Sequence, residues 1–412
     1  MIKAFKNSIL IFIFVSLITL SMSVYAAVPG NVGNGEPVIS SKGAIVFDSV
    51  RGQVLYKGNS DQKLTIPLAA DIMTLLIAVD KVKLDTKVTI PDQIKSVSSN
   101  EVIFDSGSKV NMDDILLSMI LSPTSAVSDI VIQHTTGDEE SFITQMNQKA
   151  KVLGMKDVNF TAASSFNSED LQLTLDDFSK LVMAAVNNPI IDSYLSTSAK
   201  PWTSKDGTHV LINPDKLFWM GLEGINGGAY QASNQSGNSI TTASREGLKL
   251  ICLVAGGKGD VIFNDTSVLM NYTFSKFNKS LLVAKGAVLH EIDLSGMTLP
   301  LASMEDVYYT HPVGNNYIKS LDFKIKNDVK PPITENTVIG TAKYTLTDDT
   351  IIEVNLNSTK EIKAANNIYN TLKLRLMDNP DVFYILIVLC IIEICLIVIN
   401  IIKKIFKNKV HE

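Results

Sequence analysis

The segment Ser60-Asp61-Gln62-Lys63 has the spacing of a serine nucleophile followed by a lysine base. On a helix, a lysine three residues after a serine shares its face and can remove the hydroxyl proton for acyl transfer. This segment is polar and precedes Pro67, which predicts a turn and not the start of a helix. We therefore do not expect Ser60 and Lys63 to form a catalytic pair.

Two pairs of adjacent carboxylates, Asp113-Asp114 and Asp176-Asp177, are further candidates for acid–base chemistry. Both stand at the predicted starts of helices, where acidic side chains complement the helix dipole, so we interpret them as structural. Outside the apolar run near the C-terminus, Cys252 is the only cysteine, and the histidines are scattered singly. The sequence therefore predicts no internal disulfide, no metal site and no cofactor.

The elements that must position any site change character along the chain. Over 38–280, strand-like runs such as 44–47 alternate with helically spaced apolar residues such as those in 142–153. This mixture predicts an α/β (α+β) domain with a covered sheet. Over 282–357, apolar residues alternate with polar ones, which predicts a small β-rich domain.

A buried helix entered through a proline is predicted where Ile66-Pro67-Leu68-Ala69-Ala70-Asp71-Ile72-Met73-Thr74 opens a long apolar run. With the flanking segments 43–56, this stretch resembles the D-alanyl-D-alanine carboxypeptidases, the low-molecular-mass penicillin-binding proteins. Segments 142–155, 213–219 and 263–274 continue the resemblance in the same order. It implies a penicillin-binding/β-lactamase-like fold, followed by the family's second domain, and serine-based acyl transfer on peptidoglycan stem peptides.

In that family, a Ser-x-x-Lys pair stands at the start of this helix, and the matching positions here are Leu68 and Asp71. Leu68 has no nucleophilic atom, and Asp71 replaces a cation by an anion. A shift of the alignment by one residue does not help, because no serine occurs between Ser60 and Ser96.

The family's second motif, Ser-x-Asn, matches Thr124 and Ala126. Thr124 keeps a hydroxyl, but Ala126 cannot donate the hydrogen bond of an amide. The alternative, which we favour, is an ordinary loop in which Ser122 or Thr124 caps the next helix.

The family's third motif, Lys-Thr-Gly, matches Asn226, Gly227 and Gly228, so that only the last glycine is kept. A substrate carboxylate would lose its charge-assisted partner at this place. The resemblance, together with the loss of all three motifs, predicts a pseudoenzyme of peptidoglycan metabolism with a binding or regulatory role. Its expected partners are peptidoglycan or cell-wall proteins.

Two alternatives stay open. One is an active serine-type carboxypeptidase that uses Thr124, Ser125 or another hydroxyl with an unrecognised base. The other is a non-covalent binder of muropeptides.

The two ends of the chain predict export and membrane attachment. Residues 1–26 have the pattern of a signal peptide, with an uncleaved anchor as the alternative. A stalk (358–381), a transmembrane helix (382–402) and a basic cytoplasmic tail (403–412) are predicted at the other end, with the bulk of the chain outside the cell.

Glu393 lies in the middle of the predicted span, where an ionised side chain is costly. It indicates either helix–helix association or a protonated or snorkelling residue without a role. The net charge of −5 and the pI of about 5.6 do not indicate the excess of positive charge that is typical of nucleic-acid-binding proteins.

Overall fold

The computed structural model describes most of the chain and divides it into two units, Met1–Lys276 and Phe277–Glu412. The described residues are 32–33, 35–91, 104–204, 207–232, 236–294, 296–314, 316–363 and 380–409. The predicted signal peptide (1–26) and the part 364–379 of the predicted stalk lie outside them.

The first unit mixes helices with strands. Its helices are α1 (Leu68–Lys81), α2 (Met112–Leu121), α3 (Ser125–Thr135), α4 (Glu139–Val152), α5 (Leu175–Val186), α6 (Pro189–Leu195) and α7 (Val261–Lys276). Its strands are β1 (Val32–Gly33), β2 (Glu36–Pro37), β3 (Gly43–Asp48), β4 (Val54–Gly58), β5 (Leu64–Thr65), β6 (Lys87–Thr89), β7 (Lys109–Asn111), β8 (Gln172–Leu173), β9 (Ala199–Ser204), β10 (Gly207–Ile212), β11 (Ile225–Ala232), β12 (Gly237–Arg245) and β13 (Leu248–Gly257).

A five-stranded antiparallel sheet with the order β11-β12-β13-β3-β4 forms the centre of this unit. Every residue of β3 is buried, so both faces of this strand are covered, and helices α5 and α7 pack against it. The continuous apolar run 44–47 is typical of such a strand. The covered sheet predicted from the sequence is thus confirmed.

Helix α1 is buried around its whole circumference over residues 68–78. It packs against α3, α4, α5 and α6, and its side chains Ile72, Met73 and Leu75 have no exposed surface. A helix that is apolar on all sides is stable only when surrounded in this way. The prediction of a buried helix entered through Pro67 is confirmed, since Pro67 stands immediately before its first residue.

The second unit is rich in strands. They are β14 (Phe277–Val283), β15 (Val288–Leu294), β16 (Met297–Ala302), β17 (Val307–Pro312), β18 (Ile318–Ile325), β19 (Val338–Leu346) and β20 (Ile351–Ser358). Strands β14 and β17 pair with each other, and the others form an antiparallel sheet with the order β15-β16-β20-β19-β18. Alternate residues of β19 and β20 are buried, as the period of two predicts. The β-rich second domain is therefore confirmed.

The last described element is helix α8, Pro380–Lys409, on which Glu393 is exposed. A membrane span requires about 20 consecutive apolar residues. Counted over the described residues alone, none of the helices meets the length and hydropathy that a membrane crossing demands. The structure therefore gives no support to the transmembrane helix predicted over 382–402.

Candidate active site

Leu68 occupies the position at which the family resemblance predicts a serine nucleophile. It is the first residue of α1, directly after Pro67, and is 4% exposed. Its side chain belongs to the hydrophobic core of the first unit. The start of the helix is therefore closed by an apolar side chain that no substrate atom can use as a nucleophile or as a hydrogen-bond partner.

Asp71, one helical turn later, is 2% exposed and faces the short 3₁₀ helix Ser165–Asn167. Its Oδ1 accepts a hydrogen bond of 2.9 Å from the backbone N–H of Ser165. Burial raises the pKa of Asp71 to about 7, although the hydrogen bonding of Ser165 opposes this increase. The carboxyl group thus joins α1 to this segment, and burial favours its protonated form well above the usual pH range of an aspartate.

The same surroundings contain two buried polar atoms without a partner among the described residues, Oδ2 of Asp71 and the hydroxyl oxygen of Ser165. Nearby on α1, the hydroxyl of Thr74 donates a hydrogen bond of 2.7 Å to the carbonyl oxygen of Ala163. Helix α1 is therefore held to residues 163–165 by two polar contacts. This arrangement encloses the Asp71 carboxyl, so it cannot serve a substrate in solution as a general base.

Thr124 is half-buried and caps helix α3, where its Oγ1 accepts a hydrogen bond of 3.3 Å from the backbone N–H of Val127. The interpretation of this residue as a helix cap is confirmed. Ala126 lies in the first turn of the same helix and is also half-buried. Helix α3 packs against α1, so the structure brings together the two elements to which the sequence assigns the positions of the first two motifs.

Asn226 and Gly227 lie at the start of β11, which packs against α2 and α6. Asn226 is exposed at an irregularity in the pairing of β11 with β12. A Cβ atom at position 227 would lie 3.0 Å from Thr242 Oγ1 and 3.1 Å from the backbone carbonyl of Leu195. The neighbouring atoms therefore leave little room for a side chain at position 227.

Gly228 is covered by the side chain of Asp215, whose Oδ2 would lie 2.1 Å from a Cβ atom at position 228. Asp215 is fully buried and accepts hydrogen bonds from the hydroxyl of Thr241 (2.9 Å) and the backbone N–H of Leu217 (3.0 Å). Burial raises the pKa of Asp215 to about 7, and these hydrogen bonds oppose the increase. In addition, Nδ2 of Asn213 donates to the carbonyl oxygen of Gly228 over 2.8 Å.

Sequence reasoning assigned no role to Asp215. The available signal was the string Asn213-Pro214-Asp215 ahead of the third motif, because Asn and Asp on either side of a proline are typical of a tight turn with side-chain caps. What the string did not reveal is that this turn lies over Gly228.

The serine–lysine spacing at Ser60 has a structural explanation. The Ser60 hydroxyl donates to Asp176 over 3.0 Å, and Lys63 Nζ donates to the carbonyl oxygen of Asp157 over 3.2 Å. The two side chains therefore bind different partners, Asp176 and Asp157, and both partners lie far along the chain from the start of α1. The expectation that they form no catalytic pair agrees with these contacts.

The carboxylate pairs also make structural contacts. Asp113 accepts a hydrogen bond of 2.6 Å from the Tyr194 hydroxyl, and Asp114 forms an ion pair with Lys200. Asp177 pairs with Lys180 over 2.7 Å. Within the part of the chain that the structure describes, there is no cluster of three acidic, histidine or cysteine side chains able to hold a metal ion.

Residues 31–259 match the family described as D-alanyl-D-alanine carboxypeptidase, and residues 277–364 match the penicillin-binding protein 5 C-terminal domain. D-alanyl-D-alanine carboxypeptidase DacF of Bacillus subtilis is 21% identical over 374 residues, which cover 85% of this chain and 93% of that protein. A D-alanyl-D-alanine endopeptidase of Pseudomonas aeruginosa is 26% identical over 258 residues, or 60% of this chain and 82% of that protein.

Among solved structures, penicillin binding protein 5 from Haemophilus influenzae has a TM-score of 0.64 at 18% identity, with 81% of this chain and 100% of that chain covered. PBP3 from Streptococcus pneumoniae has a TM-score of 0.66 at 16% identity, with 79% and 100% covered. These likenesses show a shared fold. Because the match to the first family extends over more than half of the sequence, the chain belongs to the D-alanyl-D-alanine carboxypeptidase family, the low-molecular-mass penicillin-binding proteins.

Proposed function

We propose that this chain is a catalytically inactive member of its family, with a binding or regulatory role in peptidoglycan metabolism. One observation carries the proposal. Helix α1 begins with the core residue Leu68 and continues with the enclosed carboxyl of Asp71, where acyl transfer requires a nucleophile and a base.

The chemistry at this position supports the loss of activity. A leucine side chain cannot attack a carbonyl carbon, and Asp71 accepts a hydrogen bond from Ser165 at the place where a lysine would act on a serine. In serine hydrolases the nucleophile and its base work as a unit, and removal of either one costs several orders of magnitude in rate.

The position of the third motif supports a change in ligand as well. Asn226 offers a neutral amide in place of a cation, and Gly227 offers no hydroxyl. Charge-assisted hydrogen bonds are roughly twice as strong as neutral ones. A substrate that ends in a carboxylate therefore finds no charge-assisted partner at Asn226 or Gly227.

We further propose that the protein is anchored to the cell membrane by its C-terminal segment. This part of the proposal rests on the sequence, in which 382–402 is almost entirely apolar and is followed by four lysines, Lys403, Lys404, Lys407 and Lys409. The positive charges place the C-terminus in the cytoplasm and the two folded units outside.

Covalent labelling with a fluorescent penicillin tests the inactive assignment. The full chain is incubated with the labelled antibiotic beside a family member that keeps all three motifs, and both are separated on a denaturing gel. We expect the relative to carry the label and this chain to carry none. Labelling of this chain that is abolished by Thr124→Ala or Ser125→Ala would overturn the proposal in favour of a non-standard nucleophile.

A further inference from the structure

An open surface cavity of about 280 Å³ lies in the first unit, and none of its lining residues belongs to the three motifs. Its walls come from the antiparallel pair of β6 and β7, the first turn of α2 and strand β9. Six of its lining residues carry the argument: Lys87, Lys109, Lys200, Asp114, Asn111 and Trp202. None of them has a role in the proposed loss of catalysis.

The charged side chains of this cavity are three lysines and one aspartate. Lys200 forms an ion pair with Asp114, which leaves Lys87 and Lys109 as the positive groups without a carboxylate partner among the described residues. The chain as a whole has a net charge of −5. A cavity with an excess of positive charge on an acidic protein attracts anions to that one place.

The antiparallel pairing of β6 with β7 fixes the backbone spacing of the two lysines. Lys87 pairs with Asn111 and Thr89 pairs with Lys109, while Val88 between them is buried. These four residues therefore share the outer face, and Lys87 and Lys109 are diagonal neighbours on it. Diagonal neighbours lie about 7–8 Å apart at the backbone, so the two ammonium groups can contact successive charges of a polymer.

Trp202 supplies a flat apolar surface beside these charges. Its ring is half-buried and packs edge-on against Phe104, with 5.3 Å between the ring centres and 89° between the planes. This contact fixes the orientation of the indole ring. Aromatic rings combine large apolar contact area with low loss of conformational freedom, so a sugar or polyol unit could rest against the indole while its acidic groups reach the lysines.

We propose that this cavity binds an acidic glycan, a polymer whose sugar or polyol units carry phosphate or carboxylate groups. Its repeating units contact Trp202, and its charges lie at Lys87 and Lys109. The inference goes beyond the proposed function, because it holds whether or not the position of Leu68 supports catalysis.

Binding of defined polymers to the full chain tests the proposal. The probes are poly(glycerol phosphate), polygalacturonate as the carboxylate polymer, and neutral dextran of similar length. We expect at least one acidic polymer to bind, and K87Q/K109Q to weaken that binding at least tenfold. The slope of log K against log salt concentration should also become shallower, as expected when about two fewer counterions are released on binding. The tighter of the two acidic polymers identifies the charged group that the cavity prefers.

The matched control is K151Q/K156Q, which removes the same charge from two exposed lysines outside the cavity. We expect it to change the affinity less than twofold. Equal loss in both double variants would show a general effect of charge and overturn the proposal, as would acidic polymers that bind no more tightly than dextran. A W219F background leaves Trp202 as the only tryptophan, and its fluorescence should change on titration with the bound polymer.

Discussion

Oδ2 of Asp215 occupies the space beside Gly228, only 2.1 Å from where a Cβ atom would stand. The Asp215 side chain is held there by the hydroxyl of Thr241 and the amide of Leu217. Gly228, the one residue that we match to the kept glycine of the family's third motif, is therefore required by packing inside the protein. Its retention is no sign of retained substrate binding.

Gly228→Ala should destabilise the fold strongly. The added methyl group would displace the Asp215 carboxyl and break its two hydrogen bonds, with a cost of about 3 kcal/mol or more. Gly227→Ala is the matched comparison, because its Cβ would meet neighbours at 3.0–3.1 Å, and we expect a cost of about 1 kcal/mol. Urea denaturation of the two variants gives both values. Equal stability of the two variants would contradict this account of Gly228.

The stability of the first unit should fall as the pH rises from about 4 to about 7. Burial raises the pKa of Asp71 from 3.8 to about 7, so the folded state keeps a proton that the unfolded chain releases in this range. The unfolded state binds fewer protons there, and each such group lowers the free energy of unfolding by at most about 1.4 kcal/mol per pH unit. Asp215 acts in the same direction.

Asp71→Asn should reduce this slope, and a double variant with Asp215→Asn should flatten it further. The measurement is the free energy of unfolding at several pH values between 4 and 8. Asp61→Asn, at an exposed position, is the control and should leave the slope unchanged. An unaltered slope in the double variant would show that neither carboxyl keeps its proton in the folded state.

The double variant L68S/D71K should not regain covalent labelling by penicillin. It restores the spacing of nucleophile and base, but Ala126, Asn226 and Gly227 still lack the groups of the other motifs. A lysine at position 71 would also place a cation against the N–H of Ser165, which donates to the native carboxylate. Labelling or turnover by this variant would show that the second and third motifs matter less than we infer.

Thr124→Ala should cost about 1 kcal/mol of stability, because the cap of helix α3 is lost. Thr124→Ser keeps an acceptor for the Val127 amide, so it should cost much less. Thermal unfolding monitored by circular dichroism separates the two variants. If both lose the same stability, Thr124 acts through its methyl group and not through its cap.

Patterns within single elements were enough to predict much of the fold. The apolar run after Pro67 is buried on every side, and the alternation around Tyr344 and Val354 became the covered face of two strands. The same alternation in β18 leaves Leu321 and Phe323 40% and 37% exposed. That strand stands at the edge of its sheet, and the position of a strand in a sheet depends on pairings that a local pattern does not contain.

The sequence by itself determined which chemical groups are absent from the three motifs, because a residue type states which atoms are available whatever the fold. Only the tertiary structure decided which contacts the residues at these positions make. Ser165 is 94 residues from Asp71 in the sequence. Asp215 lies before β11, and its side chain contacts Gly228 within that strand. Such contacts form only when packing brings distant segments together, and burial then sets the pKa of both carboxyls. Helix α1 and strand β11 are thus kept in place by interactions that serve the fold.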